Sequence, residues 1–423
     1  MFWKWTKRIA TLIFIVLFAI ILLTNSGKPS LNFDELVRYS TRQIEFDYVN
    51  WTIQAIYQKL SQAALGTGRY LDHEQQIQVL DRFFAIVDEQ SKIKDKIIEI
   101  YASPAETSPE KTAQPLLVRQ KSLQEEQKHI SLLVESILQQ QISSILSESN
   151  LDDFGQPVPP VQYHTSALPF ALIISPRNVI RQDSNISLLP DLTLDQIVAL
   201  EKSVENRLDI SALVVPVGGI GVYPTMVMET TDLSWLAEVV AHEWIHNFLT
   251  LRPLGILYDT TPELRTINET TASIAGVEIG EQMINRYYPA LVKPKEEPGS
   301  SKDDLIPPQT NKEPVFDYRA AMHETRVTAD ALLAKGKIQE AEDYMETRRL
   351  VFIKNGYNIR KLNQAYFAFY GAYADTPGGA AGEDPVGAAV RSLRAQSDSL
   401  SQFIHKISRV TSFEKLQELL NIP

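Results

Sequence analysis

The stretch His242-Glu243-Trp244-Ile245-His246 constrains the fold most strongly, because its two histidines can act together only if the chain is helical there. Histidines four residues apart lie one above the other on a helix face, so both imidazoles can reach one metal ion. Glu243 is rotated away from them, where it can hold a water molecule beside the metal. A helix is also indicated by a cap at Asp232 or Thr231 and by apolar residues at helical spacing, namely Leu233, Leu236, Val240 and Phe248.

A third metal ligand is available downstream. Glu269 lies 23 residues beyond His246, and the apolar stretch from Ile274 to Ile279 predicts a second helix at this point. A catalytic zinc site takes three protein ligands and leaves a further position open. His242, His246 and Glu269 supply two neutral nitrogens and one carboxylate, which predicts one Zn²⁺ per chain. The alternative, a chance match to the histidine pattern, would not be expected to come with a third ligand at this spacing.

The two stretches together resemble the gluzincin metallopeptidases, the group that includes thermolysin-like enzymes and zinc aminopeptidases. There, H-E-x-x-H is followed by N-E-x-x-A on a later helix, as in Asn268-Glu269-Thr270-Thr271-Ala272 here. The resemblance covers residues 242–272 and implies Glu269 as third ligand and Glu243 as general base. One departure is Ser273, where many gluzincins carry an acidic residue that orients a zinc histidine. The source of that contact is left open, and Glu278 is a reserve ligand candidate.

Peptide hydrolysis at such a site usually uses a further donor to stabilise the developing oxyanion. In gluzincins this donor is a tyrosine or a histidine well downstream. The candidates in this chain are His323, Tyr357, Tyr366 and Tyr370, and we take Tyr366 as the candidate catalytic residue. A plain packing role is the alternative for each of these aromatic side chains.

The segment ahead of the histidine helix, Ser211 to Met228, predicts a strand, a glycine-rich turn and a second strand. Gluzincins commonly place an edge strand beside the zinc, where extended substrate backbone can add as another strand. On this resemblance Gly219, Gly221 and Tyr223 are candidate substrate-binding residues, and the glycines permit a close backbone approach. An ordinary hairpin is the alternative.

The amino terminus predicts a membrane anchor. Lys4, Lys7 and Arg8 precede an uncharged, mainly apolar run from Ile9 to Leu23. The run is long enough to cross a bilayer only if flanking uncharged or snorkelling residues are included. We therefore interpret residues 1–27 as an uncleaved signal anchor, with a cleaved signal peptide as the alternative. The positive-inside rule then predicts a cytoplasmic amino terminus and an exported, periplasmic or extracellular remainder.

Composition limits the partners of the chain. The formal net charge of −11 argues against a nucleic-acid partner, since no basic patch offsets it. The chain has no cysteine, so an exported domain must hold together without disulfide bonds, and a thiol nucleophile is excluded.

The element pattern predicts a predominantly helical α+β fold. We expect a helical region over residues 28–155, which offers a surface for a protein partner. A gluzincin-like catalytic domain with a small sheet and the zinc helix follows over 156–290. A proline- and charge-rich insertion over 291–316 is predicted to be flexible, and a helical region over 317–423 completes the chain.

These features predict a membrane-anchored zinc peptidase that acts on peptides or proteins outside the cytoplasm. Exopeptidase and endopeptidase action both fit. An aminopeptidase would need acidic groups for the free amine, and Glu229, Glu324 and Glu383 are available. The alternative from another class is a catalytically silent, membrane-anchored binding protein with a structural or vestigial metal site. The intact Glu243 argues against it, because a purely structural metal site does not need that base.

Overall fold

A computed structural model describes residues 33–65, 70–102, 108–152, 155–292, 316–357, 359–373, 381–382 and 384–420, together with residues 11 and 13–15. By its internal contacts the chain divides into two compact units, Met1–Gln43 and Ile44–Pro423. Helix α1 (Phe33–Thr41) belongs to the first unit. No helix within these residues is long and apolar enough to cross a membrane. The predicted anchor at 1–27 and the predicted insertion at 291–316 fall almost entirely outside the described residues.

Long helices open the second unit: α2 (Tyr48–Leu65), α3 (His73–Ala102) and α4 (Pro109–Glu148). The ion pairs Arg82–Glu126 and Arg119–Glu89 join α3 to α4, and their order along the chain makes the two helices antiparallel. Apolar side chains of both helices are buried in the same core as the helix that carries His242 and His246. The helical hairpin is therefore packed into the body of the unit.

One sheet has the strand order β3-β2-β4 and is antiparallel throughout, with strands β2 (Phe170–Pro176), β3 (Ser184–Leu188) and β4 (Ile210–Pro216). Helix α5 (Leu194–Leu208) joins β3 to β4 and begins with a capping box between Thr193 and Gln196. The outer edge of β3 is extended by residues 44–46, where Phe46 N donates to Ser187 O at 3.0 Å. This short extended segment interrupts the helical region that the sequence predicts over 28–155.

A second small sheet lies in the chain just before the histidine helix. Its strands are β1 (Tyr163–Thr165), β5 (Gly219–Ile220) and β6 (Thr225–Val227), with β6 parallel to β1 and antiparallel to β5. Strand β5 is at the edge of this sheet. The stretch from Ser211 to Met228 is therefore not one ordinary hairpin, because β4 pairs with β2 in the other sheet.

The histidine helix α6 (Leu233–Thr250) packs along α8 (Pro262–Tyr287), and the four-residue helix α7 (Pro253–Ile256) connects them. Asp232 caps α6 by accepting a hydrogen bond from Trp235 N, as the sequence predicts, and Thr261 caps α8 in the same way. Glycines allow the close approach of the two helices. A Cβ atom on Gly276 would lie 2.9 Å from His242 Cβ and 3.0 Å from the backbone oxygen of Glu238.

The carboxy-terminal helices cover both the sheet and α8. They are α9 (Tyr318–Ala334), α10 (Ile338–Lys354), α11 (Gln364–Tyr370), α12 (Pro385–Ala395), α13 (Leu400–Ile407) and α14 (Phe413–Leu420). Asn363 Nδ2, at the start of α11, donates to Ala212 O of β4 at 3.0 Å, and Arg394 of α12 forms a bidentate pair with Glu278 of α8. The described chain is thus α+β and mostly helical with two small sheets, which confirms the prediction of a predominantly helical α+β fold.

A buried ion pair ties the helical hairpin to the second sheet. Lys59 of α2 donates to Glu135 Oε2 of α4 at 2.5 Å, and both side chains are almost completely buried. The other oxygen of Glu135 accepts from Thr165 N of β1 at 3.0 Å and lies 2.9 Å from His164 Nδ1. Since β1 pairs with β6 and β6 with β5, this network fixes the sheet that borders the histidine helix.

The contact at Gly276 leads to a stability prediction. Alanine in place of a helical glycine usually stabilises a protein by about 0.5–1 kcal/mol. At Gly276 we expect the opposite, a loss of about 1–3 kcal/mol, because the added methyl group would overlap α6. Urea unfolding of metal-free Gly276→Ala measures this change. Glu281→Ala, at an exposed position of α8, is the control and should change stability by less than about 0.5 kcal/mol. Unchanged or increased stability of Gly276→Ala would contradict the packing account.

Candidate metal centre

Three side chains from two helices converge on one point. His242 and His246 project from α6 with their Nε2 atoms 3.1 Å apart. Glu269 reaches them from α8, and its Oε2 atom lies 3.7 Å from His242 Nε2 and 3.5 Å from His246 Nε2. The three atoms form a nearly equilateral triangle, and the group is the kind that can hold a metal ion.

The dimensions and chemistry of this triangle suit a divalent metal. Ligand atoms about 2.0–2.2 Å from one tetrahedral ion lie about 3.3–3.6 Å from one another, close to the three separations found here. Glu269 is almost completely buried, and its Oε2 atom accepts no hydrogen bond from any described residue. A buried carboxylate oxygen without a hydrogen-bond donor is costly unless a cation lies beside it, and a protonated histidine or a bound metal ion can each be that cation. The His-His-Glu group can therefore bind a metal, as the sequence analysis proposed.

The ligands are oriented by two residues that the sequence analysis missed. Asn268 Oδ1 accepts a hydrogen bond from His246 Nδ1 at 2.8 Å, which leaves the Nε2 lone pair of His246 for the metal. The hydroxyl of Tyr258 donates to Glu269 Oε1. Asn268 fills the orienting role expected of an acidic residue at position 273, and no hydrogen bond of the described chain brings Ser273 to the ligands. The sequence signal that could have identified this contact is Asn268 itself, which directly precedes Glu269 in the Asn268–Ala272 stretch.

The electrostatic interaction between Glu269 and the histidines shifts the pKa values of Glu269 and His246. Burial by itself would raise the pKa of Glu269, but the two adjacent histidines hold it well below its usual range. For His246, burial opposes the positive charge, yet Glu269 outweighs it and the pKa rises to about 9. Without a metal, His246 is thus charged at neutral pH. Metal binding must displace that proton, so affinity should increase as the pH rises.

Glu243 lies beside the ligand triangle under the edge strand β5. Burial raises its pKa, the two histidines oppose that rise, and Glu269 adds to it. A Cβ atom on Gly219 would lie 2.6 Å from Glu243 Oε1, and one on Gly221 would lie 3.1 Å from His246 Cβ. The two glycines therefore let the backbone of β5 approach the base and a ligand more closely than any other residue would allow.

The group opens into a cleft of about 420 Å³. The cleft is lined by the three ligands, Glu243, the β5 segment, Asn268, Tyr258 and Arg265. Side chains from distant parts of the chain also line it, namely Tyr48, Phe369 and Tyr373. The ring of Tyr373 lies 6.3 Å from that of His242, centroid to centroid. Tyr373 is 37% exposed at the cleft. Its partial burial and the charges of Glu269 and Glu243 raise the pKa of its hydroxyl above the usual value, so the hydroxyl remains a proton donor.

The structure places the other candidate residues away from the cleft. Tyr366, Tyr370, Tyr357 and His323 do not line it. The Tyr366 hydroxyl lies 3.3 Å from that of Tyr318, and its ring packs on Tyr370. Tyr223 also points elsewhere, donating to Pro160 O at 3.1 Å, although Gly219 and Gly221 do line the cleft.

The acidic candidates are similarly dispersed. Glu229 accepts a hydrogen bond from Gln127, Glu324 pairs with Arg348, and Glu278 pairs with Arg394. Glu383 falls outside the described residues. Within the described chain, Glu243 and Glu269 are the acidic side chains that line the cleft.

The contact between Asn268 and His246 predicts an effect on metal affinity. Asn268→Ala should weaken zinc binding by about 10- to 100-fold, because His246 loses the acceptor that fixes its ring. Asn268→Asp keeps an acceptor and should retain most of the affinity, and Ser273→Ala should bind as the wild type does. Competition with a chromophoric chelator measures all four proteins. Wild-type affinity in Asn268→Ala would show that the contact does not orient the ligand.

Comparison of the chain with protein-family models, with curated proteins and with solved structures finds no match. The chemistry of the cleft is therefore inferred from its own residues. On that basis, the His242, His246 and Glu269 group with Glu243 beside it is the candidate functional site of this chain.

Proposed function

We propose that this chain is a zinc-dependent peptidase with a gluzincin-like catalytic domain. The observation that carries the proposal is the joint placement of a His-His-Glu triangle and a buried, additional glutamate at one open cleft. A purely structural zinc site is closed by four protein ligands and has no use for an additional carboxylate beside it. Two imidazoles and one carboxylate favour zinc among the common divalent ions.

The roles of the residues follow from their positions. Zinc held by His242, His246 and Glu269 would supply a Lewis acid that acidifies a water molecule and polarises a carbonyl group. Glu243 acts as the general base that takes the proton of the attacking water and returns it to the leaving amine. Without a metal, burial raises the pKa of Glu243 above its usual value, and a raised pKa favours a carboxylate that accepts a proton and then passes it on.

Substrate backbone is expected to bind along β5. This strand is the edge of its sheet, and Gly219 and Gly221 bring it against Glu243 and His246. An extended peptide added to such an edge gains backbone hydrogen bonds and places its carbonyl groups near the ligands. Of the three candidate substrate-binding residues from the sequence, we keep Gly219 and Gly221 in this role and withdraw Tyr223.

Tyr373 replaces Tyr366 as our candidate for the oxyanion donor. Tyr373 lines the cleft, and its ring faces that of His242, whereas Tyr366 packs against Tyr318 and Tyr370. A neutral hydroxyl beside the ligands is suited to stabilise negative charge that develops on a carbonyl oxygen.

For the location of the enzyme we retain the proposal drawn from the sequence. Residues 1–27 would anchor the chain with its amino terminus in the cytoplasm, and the catalytic unit would act on peptides or proteins on the exported side. The surface of the helical hairpin α3–α4 remains a proposed site for a protein partner.

Two variants of the full chain test the proposed activity. Glu243→Gln should keep one zinc per chain and reduce peptide hydrolysis by about 10²- to 10⁴-fold, since the general base is removed. Glu269→Ala should lose both zinc and activity. Elemental analysis gives the zinc content, and mass spectrometry of an unstructured peptide library gives hydrolysis. Glu238→Gln, the same chemical change on α6 outside the cleft, is the control and should retain activity.

The alternative of a catalytically silent binding protein makes a different prediction. One zinc per chain, with no hydrolysis of any peptide by the wild type, would favour it. So would hydrolysis that Glu243→Gln leaves unchanged, since contaminating enzymes would then account for the activity. Retention of zinc in Glu269→Ala would contradict the ligand assignment itself.

A further inference from the structure

Arg265 is a cation in the cleft that the proposed chemistry does not use. It lies on α8 one helical turn before the ligand Glu269, and both side chains line the cleft. On a helix, side chains four residues apart are neighbours, with about 5–6 Å between their Cβ atoms. Arg265 and Glu269 therefore share one face of α8 and line the same cleft.

Most N–H donors of the Arg265 side chain form no hydrogen bond within the described chain. A guanidinium has five N–H donors, and within the described chain Arg265 makes one hydrogen bond, from Nη2 to Ala368 O at 3.0 Å. That bond fixes the side chain against α11. Burial raises the pKa of Asp259, and the nearby charge of Arg265 opposes that rise. The two side chains do not form an ion pair in the described chain.

Other arginines near the site are paired. Arg265 also lines a second cavity of about 270 Å³ together with Arg181 and Arg326. Arg181 forms a bidentate pair with Asp183, and Arg326 pairs with Asp330. Among the arginines that line these two cavities, Arg265 is the one that forms no ion pair with a carboxylate of the described chain.

The acidic groups of the cleft also favour a substrate carboxylate over a substrate amine as the group that is bound. A free amino terminus would need a carboxylate to bind it, but Glu269 belongs to the metal group and Glu243 is the base. Glu229 and Glu324, the other described candidates for binding an amine, lie away from the cleft. An unpaired guanidinium with a fixed orientation recognises a carboxylate instead.

We infer that Arg265 binds the carboxy-terminal carboxylate of the substrate, so that the enzyme acts as a carboxypeptidase. This inference rests on the proposed peptidase function. The bond cleaved is then the last peptide bond of the substrate, whose carbonyl group is adjacent in sequence to the terminal carboxylate. Water attacks the carbonyl carbon of that bond and gives a proton to Glu243. The C–N bond breaks as Glu243 passes that proton to the leaving nitrogen, and the terminal amino acid leaves with its carboxylate on Arg265.

Matched peptides on the full, zinc-loaded chain test the inference. Three N-acetylated peptides are compared. Two have the same sequence and end in a free carboxylate or in a carboxy-terminal amide. The third is also an amide, and its last residue is replaced by glutamate. We expect release of the last residue from the free acid, with kcat/KM about ten- to hundredfold above that of either amide. Arg265→Ala should remove this preference with zinc content unchanged, and Arg265→Lys should retain part of it.

Two further measurements separate binding from hydrolysis. In the Glu243→Gln background, calorimetry should show tighter binding of the free acid than of the amide, and Arg265→Ala should abolish the difference. Arg286→Ala removes an equal charge from the far end of the same helix, where Arg286 pairs with Glu148 outside the cleft, and should leave the preference intact.

The outcomes distinguish failure of the inference from failure of the proposed function. Glu243-dependent hydrolysis with equal rates for acid and amide would overturn the role of Arg265 and leave the peptidase standing. An Arg265-dependent preference for the amidated glutamate peptide would assign the arginine to an acidic side chain and overturn the carboxypeptidase assignment. Absence of Glu243-dependent hydrolysis of all three peptides, with no difference in binding, would remove the basis of both proposals.

Discussion

The close packing of α6 against α8 is the constraint on which the candidate site depends. His242 and His246 come from one helix and Glu269 from the other, so the ligand triangle exists only at the separation that the packing sets. Gly276 and Gly280 make that separation possible, because a side chain at either position would meet the backbone of α6. Ordinary helix pairs pack with their axes about 8–10 Å apart, and glycine at the contact permits the short end of this range.

The residues around the triangle hold it in place in turn. Asn268 and Tyr258 each bond one ligand, and the short connection through α7 brings Tyr258 to Glu269. The Lys59–Glu135 pair supports the sheet whose edge strand covers Glu243. In the proposed enzyme, the zinc ion and Arg265 would supply positive charge to the cleft of a chain whose formal net charge is −11. That local charge would favour substrates that carry carbonyl and carboxylate oxygens.

Sequence reasoning recovers the elements whose signals are local. The histidine helix, its cap at Asp232 and the convergence of Glu269 on the histidines all follow from spacing within single helices and one pair of motifs. The glycines beside Glu243 were also recognisable, since a strand interrupted by glycine signals close backbone approach.

The remaining cleft residues depend on tertiary placement that no local pattern carries. Tyr366 and Tyr370 occupy one face of α11, whereas Phe369 and Tyr373 point into the cleft, and a short helix rich in aromatics does not show which face is turned inwards. Tyr48 reaches the cleft from α2, which is far from the two ligand helices in sequence. Arg265, by contrast, lies on α8 one turn before Glu269, so helical spacing alone places it on the same face. Spacing identified the candidate ligands but could not identify most of the residues that line the rest of the cleft.

X-ray absorption at the zinc edge of the purified full chain tests the central claim most directly, since it reports the atoms that bind the metal. The account predicts one zinc per chain with two imidazole nitrogens and oxygen donors at about 2.0–2.2 Å, and loss of the stoichiometric zinc in Glu269→Ala. A zinc environment without imidazole scattering, or an unchanged spectrum in Glu269→Ala, would contradict it.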